Sequence, residues 1–106
     1  LTVTIPVRIQ FQPGAYSATI EGMVQGRAVN YYILRAKAEQ TMSVKIASPK
    51  SDVLLTIYGV EDGSPLVRYV SGATEWEGKL PATQDYIIEA VSVGETTSYT
   101  LQVTIR

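Results

Sequence analysis

The chain is 106 residues long, with nine Lys and Arg against ten Asp and Glu, a net charge of −1, and neither cysteine nor histidine. This length supports one domain with a modest core. The near-neutral balance, with basic residues scattered singly from Arg8 to Arg106, argues against a nucleic-acid binder. Without Cys there is no disulfide, thiolate nucleophile or zinc-thiolate site, and without His the commonest general base and transition-metal ligand is missing, so the reading is of a non-enzyme without cofactors.

Taken in chain order, the sequence breaks into nine or ten short extended runs separated by turn signals. Leu1-Thr2-Val3-Thr4-Ile5 alternates apolar and polar residues with the period of a half-buried strand. It ends at Pro6, which has no N–H for a ladder and separates this run from Val7-Arg8-Ile9-Gln10-Phe11. Pro13-Gly14 marks a turn, after which Tyr16, Ala18 and Ile20 alternate with Ser17, Thr19 and Glu21. From Ala28 to Arg35, Val29, Tyr31 and Ile33 face one way and Tyr32 and Leu34 the other, which suggests a central strand covered on both sides. Arg35 to Gln40 tolerates helix but is too short to stand as one.

Met42, Val44 and Ile46 then alternate with polar neighbours, and Val53 to Tyr58 reads as a buried strand. Glu61-Asp62-Gly63-Ser64-Pro65 is a hairpin-type turn. Leu66 to Val70 and the segment around Trp76 read as short edge strands, and Tyr86 to Val91 and Tyr99 to Ile105 close the domain. Many short strands with turn punctuation and no sustained 3.6-residue period predict an all-β fold, an antiparallel β-sandwich of jelly-roll type.

Around this pattern the chain resembles the bacterial pre-peptidase C-terminal (PPC) family. The resemblance rests on Asn30-Tyr31-Tyr32-Ile33, Ala38-Glu39-Gln40-Thr41-Met42-Ser43-Val44, Asp52 to Tyr58, Asp62-Gly63-Ser64-Pro65-Leu66, Pro81 to Tyr86 and Ser98-Tyr99-Thr100-Leu101. Two departures stand out: Glu39 occupies a place where that family usually has Gly, and Thr83-Gln84-Asp85-Tyr86 replaces a Gly-Thr-Tyr-like turn. Arg8 to Gly14 and the Gln40 strand are also similar to proteinaceous lysozyme inhibitors and to repeat modules of surface proteins. The resemblance implies a secreted or cell-surface, non-catalytic sandwich that accompanies other domains.

Leu1 to Ile5 nearly repeats Leu101 to Ile105, which already supplies the closing strand of one sandwich. The expected division is therefore residues 1–6 as a strand shared with a neighbour and 7–106 as the PPC-like domain. The chain's start at Leu1 rather than Met reads as a processed protein or an excised module. The first functional expectation is a structural or adhesive extracellular module that associates head to tail, as a filament subunit, with Leu1, Val3 and Ile5 inserted into a neighbour and Pro6 as the exit. Its partners are then other copies or neighbouring domains of the same polypeptide. The alternative is a module that binds glycan or cell-wall material, or an inhibitor of a secreted hydrolase such as lysozyme.

Candidate chemistry is sparse. Glu75 and Glu77 flank Trp76 and share one strand face about 7 Å apart, a separation that glycosidase carboxylates also show, although a solvated edge explains the pair as well. Trp76 and Tyr32 are the candidate ligand platforms for a sugar ring. Glu61-Asp62-Gly63, with Asp52, offers oxygens to calcium but lacks the density of a calcium loop. No nucleophile motif, phosphate cradle or membrane-length apolar run is present.

Overall fold

The computed structural model describes residues 7–9, 11, 16–63, 65–67 and 72–106. Within them the chain forms nine strands and no helix: β1 Val7–Arg8, β2 Ser17–Val24, β3 Val29–Ala36, β4 Thr41–Ala47, β5 Val53–Gly59, β6 Pro65–Val67, β7 Glu75–Lys79, β8 Gln84–Ser92 and β9 Thr97–Ile105. They build two sheets, one of five strands in the order β1-β3-β8-β5-β6 and one of four in the order β2-β9-β4-β7. All pairings are antiparallel except β1 with β3. This is the expected all-β sandwich, with β6 and β7 at sheet edges, as expected of these short segments.

Period-two alternation drives the assembly. On the four-stranded sheet Met42, Val44 and Ile46 of β4 and Tyr99, Leu101, Val103 and Ile105 of β9 turn inward. From the other sheet Tyr32, Leu34 and Ala36 of β3, Val53, Leu55 and Ile57 of β5, and Tyr86, Ile88 and Ala90 of β8 meet them. Ile9, just beyond β1, joins the same core, and Phe11 packs against it. β9 lies between β2 and β4, so the place that Leu1 to Ile5 resembles is filled by the chain's own strand. Leu1, Val3, Ile5 and Pro6 lie outside the described residues.

A polar latch joins the two layers inside the core. The hydroxyls of Tyr32 on β3 and Tyr99 on β9 are 2.5 Å apart, and Asn30 Nδ2 donates to the Tyr99 hydroxyl at 3.0 Å and to the Met23 carbonyl at 2.9 Å. Gly22 makes room for this pair, since a Cβ there would come within 2.8 Å of the Tyr99 ring. Burial, reinforced by Tyr99, raises the Tyr32 phenol far above its ordinary range.

At one end of the sandwich the two departures from the PPC pattern have clear physical roles. Glu39 adopts a left-handed φ of 74°, a conformation that favours glycine. Gln84 is almost fully buried, and its Oε1 accepts from the backbone N–H groups of Glu61 at 2.9 Å and Asp62 at 3.1 Å. A buried side-chain amide thus organises the turn between β5 and β6, in which Gly63 takes the expected positive φ of 66°.

Candidate functional site

The outer face of the five-stranded sheet is the least ordinary surface of the molecule. Outward side chains form rows across β3, β8 and β5: Val29, Val91 and Leu54; then Tyr31, Glu89 and Thr56; then Ile33, Ile87 and Tyr58. Arg35 and Asp85 end the series. These rows are apolar or aromatic apart from Glu89 and Thr56, yet most of their members are only half-buried, so no described layer covers them. The expectation of a β3 strand covered on both sides is corrected here, because only its Tyr32, Leu34 and Ala36 face enters the core.

Glu89 sits in the middle of this face, directly opposite Tyr31 and diagonal to Tyr58. Burial raises its carboxyl above the usual range, although the hydrogen bond from Tyr58 pulls the other way. Tyr58 is raised in turn, first by burial and then by the charge and hydrogen bond of Glu89, with Tyr31 adding a smaller contribution. At one end Asp85 pairs with Arg8 at 3.6 Å and Arg35 at 3.8 Å, a largely exposed rim. At the other end lies a hollow of about 400 Å³ lined by Arg27, Val29, Glu89, Val91, Ser92 and Val93. Arg27 occupies the turn before β3 with a left-handed φ of 58°.

The opposite face, on the four-stranded sheet, is polar. Register places Thr104, Ser43 and Glu77 in one row and Gln102, Lys45 and Glu75 in the next, lining a groove of about 620 Å³. Ser43 Oγ donates to Glu77 Oε1, which also lies 3.7 Å from Arg106. Glu75 and Glu77 share this exposed face as expected, but Trp76 turns to the other side, opposite Val44, and packs against the core over Gly78. The acids and the aromatic ring therefore do not converge on one ligand.

Tyr32, the other expected platform, is 6% exposed and committed to Tyr99, and Tyr31 holds the outward place. Tyr58, on a strand read from the sequence as buried, also faces outward beside Glu89, whereas Tyr86 and Tyr99 are buried in the core. Asp52 and the Glu61–Asp62 turn lie beyond opposite ends of the seven-residue β5, too far apart to share one ion. Among the described residues no three His, Cys, Asp or Glu side chains are grouped to hold a metal. No described helix is long and apolar enough to cross a membrane. Sequence reasoning missed Glu89 and Arg27. The available signal was an acid in an otherwise apolar outward row, Ile87, Glu89 and Val91.

The sandwich thus presents two contrasting faces, one apolar around Glu89 and one polar around Glu75 and Glu77. No protein-family model and no curated protein matches the chain. Among solved structures it is similar to PliG of Aeromonas hydrophila, a periplasmic lysozyme inhibitor of g-type lysozyme, with 32% identity over 95% of this chain and 96% of that one and a TM-score of 0.83. It also resembles Salmonella Typhimurium PliG, likewise a periplasmic inhibitor of g-type lysozyme, at 21% identity over 99% and 100% of the two chains and a TM-score of 0.75. The pre-peptidase C-terminal domain of Bacillus anthracis collagenase follows, at 13% identity over 98% and 99% and a TM-score of 0.66. The last two likenesses establish the shared fold.

At 32% identity along nearly the whole of both chains, this protein belongs to the PliG family. The resemblance read from the sequence, to PPC domains and to lysozyme-inhibitor sandwiches, is met by these neighbours. The expected place outside the cytoplasm agrees with the periplasmic setting of both PliG proteins. The neighbours named here are inhibitors and a pre-peptidase domain, none of them a filament subunit, so the inhibitor alternative stands ahead of the head-to-tail reading.

Proposed function

We propose that this chain is a non-catalytic, periplasmic inhibitor of g-type lysozyme, acting by occupying the enzyme's surface. The observation that carries the reading is the end-to-end likeness to the Aeromonas hydrophila inhibitor, in sequence and in fold together. The chain's own chemistry is consistent with it. With no Cys or His, the protein has no thiolate to trap the enzyme covalently and no imidazole base, which leaves reversible docking through preformed strands and turns.

The test is lysis of a peptidoglycan suspension by a g-type lysozyme, followed by turbidity, with the purified chain added in increasing amounts. Clearing should slow in proportion to added protein and stop near equimolar ratio, while a c-type lysozyme run in parallel keeps its rate. Undiminished clearing by the g-type enzyme at about 10 μM added protein, where even a micromolar binder is about nine-tenths saturated, would refute the reading.

A further inference from the structure

Arg27 and Glu89 both lack an ion-pair partner among the described residues. Both border one hollow, floored by Val29 and Val91 and lipped by Val93, which is 48% exposed. They border the floor from opposite sides. Val29 and Val91 are register partners; Glu89 lies two residues to one side of Val91, and Arg27 lies two residues to the other side of Val29. Glu89 stands two strand residues, about 6.7 Å, to one side of this apolar row, and Arg27, in the turn that leads into β3, borders the hollow from the other.

We propose that this face pairs with the same face of a second copy of the chain, about a two-fold axis that lies in the plane of the interface, along the Val29–Val91 row. A two-fold at that row carries whatever lies one row above it onto what lies one row below it in the partner. Arg27 of each copy then meets Glu89 of the other, twice over, while the Val93 lip of each enters the other's hollow. The occupant is a second copy because the face carries its own complement. An apolar partner laid over Glu89 would leave a desolvated carboxylate unpaired, an arrangement that strongly opposes association. A guanidinium supplies both charge and directed donors to such a carboxylate.

The size of the patch sets the strength. The overlap about that axis reaches one row to either side of the Val29–Val91 row, about 20 Å by 15 Å at most or roughly 300 Å² per copy, against about 800 Å² per partner in a standard stable interface. The dimer is accordingly weak, and forms in concentrated solution rather than at trace levels. This inference does not depend on the lysozyme reading, and its test contains no lysozyme.

Sedimentation equilibrium of the purified chain at low salt, up to about 1 mM, a concentration that reveals millimolar association, should show monomers and dimers in exchange. Added salt should shift the balance toward monomer. R27E and E89R each set like charges face to face and should weaken dimerisation at least tenfold. The double variant R27E/E89R restores opposite charges and should recover most of it. R27E alters an exposed turn, so its fold is secure, and Val93→Asp at the exposed lip gives a second probe that does not touch the core. Circular dichroism checks that E89R is folded. A chain that remains monomeric at the highest concentration overturns the proposal. So do R27E and Val93→Asp variants that dimerise like the parent, or a folded double variant no better than R27E alone.

Discussion

The Tyr32–Tyr99 latch allows a stability prediction whose pattern matters more than its size. Tyr99→Phe keeps the ring but leaves the Tyr32 hydroxyl, in a side chain only 6% exposed, without its partner 2.5 Å away, and removes one of the two acceptors of Asn30 Nδ2. Stranding a buried hydroxyl costs about 1–3 kcal/mol, so roughly 2 kcal/mol is expected for this variant. Tyr32→Phe is milder, because the Tyr99 oxygen still accepts from Asn30 at 3.0 Å; about 1 kcal/mol follows. In the double variant no hydroxyl is stranded, and its cost should be close to that of Tyr99→Phe alone, giving a coupling of about 1 kcal/mol. Urea unfolding of the four proteins, followed by Trp76 fluorescence and by far-ultraviolet circular dichroism, measures the cycle. The corresponding melting points should fall by about 10 °C for Tyr99→Phe and about 5 °C for Tyr32→Phe, from roughly 4–8 °C per kcal/mol in a domain of this size. Single costs that add within about 0.5 kcal/mol in the double variant would show that the two hydroxyls do not act as a pair.

Three further outcomes follow from named residues. Glu39→Gly should raise stability by about 0.5–1 kcal/mol: it relieves a left-handed backbone and gives up only an exposed ion pair to Lys79 at 3.6 Å, and a lower urea midpoint would contradict this. Gly59→Ala should cost about 2 kcal/mol, because its methyl meets the Gln84 amide and the Asp62 carboxylate and dislodges the two bonds that hold the β5–β6 turn; an unchanged urea midpoint would refute it. For Glu89 the folded carboxyl is raised above its unfolded value, so the native state binds its proton more tightly. Its contribution is greatest in acid, below the unfolded carboxyl range, and is lost as pH rises through the folded value. Glu89→Gln should therefore melt above the parent at neutral pH in dilute solution, with the advantage fading as pH falls through the carboxyl range, and a lower melting point at pH 7 would contradict the sign.

The sandwich was legible because most of its strands alternate with one clearly polar face. Met42, Val44 and Ile46 against Ser43 and Lys45 leave only one parity that buries the apolar set. The same rule is silent at Val29 to Leu34, where both parities are apolar. There the choice falls to the neighbours: Leu34 and Ala36 lie opposite Tyr86 and Gln84, whose row is buried, and this fixes Tyr32 inside and Tyr31 outside. The ambiguity was itself the trace of the candidate face, since a strand apolar on both sides need not be covered on both sides within one chain. Trp76 was easier, because Glu75 and Glu77 hold the opposite parity to it.

The departures at Glu39 and Gln84 have a common cause that the linear pattern could not display. The turn after β3 is bonded to the loop before β8 by Glu39 N–H to the Leu80 carbonyl at 2.9 Å, Leu80 N–H to the Gln40 carbonyl at 2.8 Å and Ala38 N–H to Thr83 Oγ1 at 2.9 Å. Gln40 closes the same turn by accepting from Lys37 N–H at 2.8 Å, and Gln84, directly after that loop, fastens the β5–β6 turn. A left-handed Glu39 costs about 1–2 kcal/mol, and four such bonds of about 1 kcal/mol each are enough to hold it there. Three turns distant in sequence are thereby fixed to one another at one end of the sandwich. The hollow bordered by Arg27 lies at the other end, where the β2–β3 turn is tied to the β8–β9 loop by Gly26 N–H to Thr96 Oγ1 at 2.9 Å and to the end of β8 by Ser92 N–H to the Ala28 carbonyl at 3.0 Å. The two ends are held by separate sets of bonds, with the length of β3 between them. Substitutions at Glu39 or Gln84 should therefore change stability without altering contacts at Arg27, and substitutions at Arg27 should do the reverse.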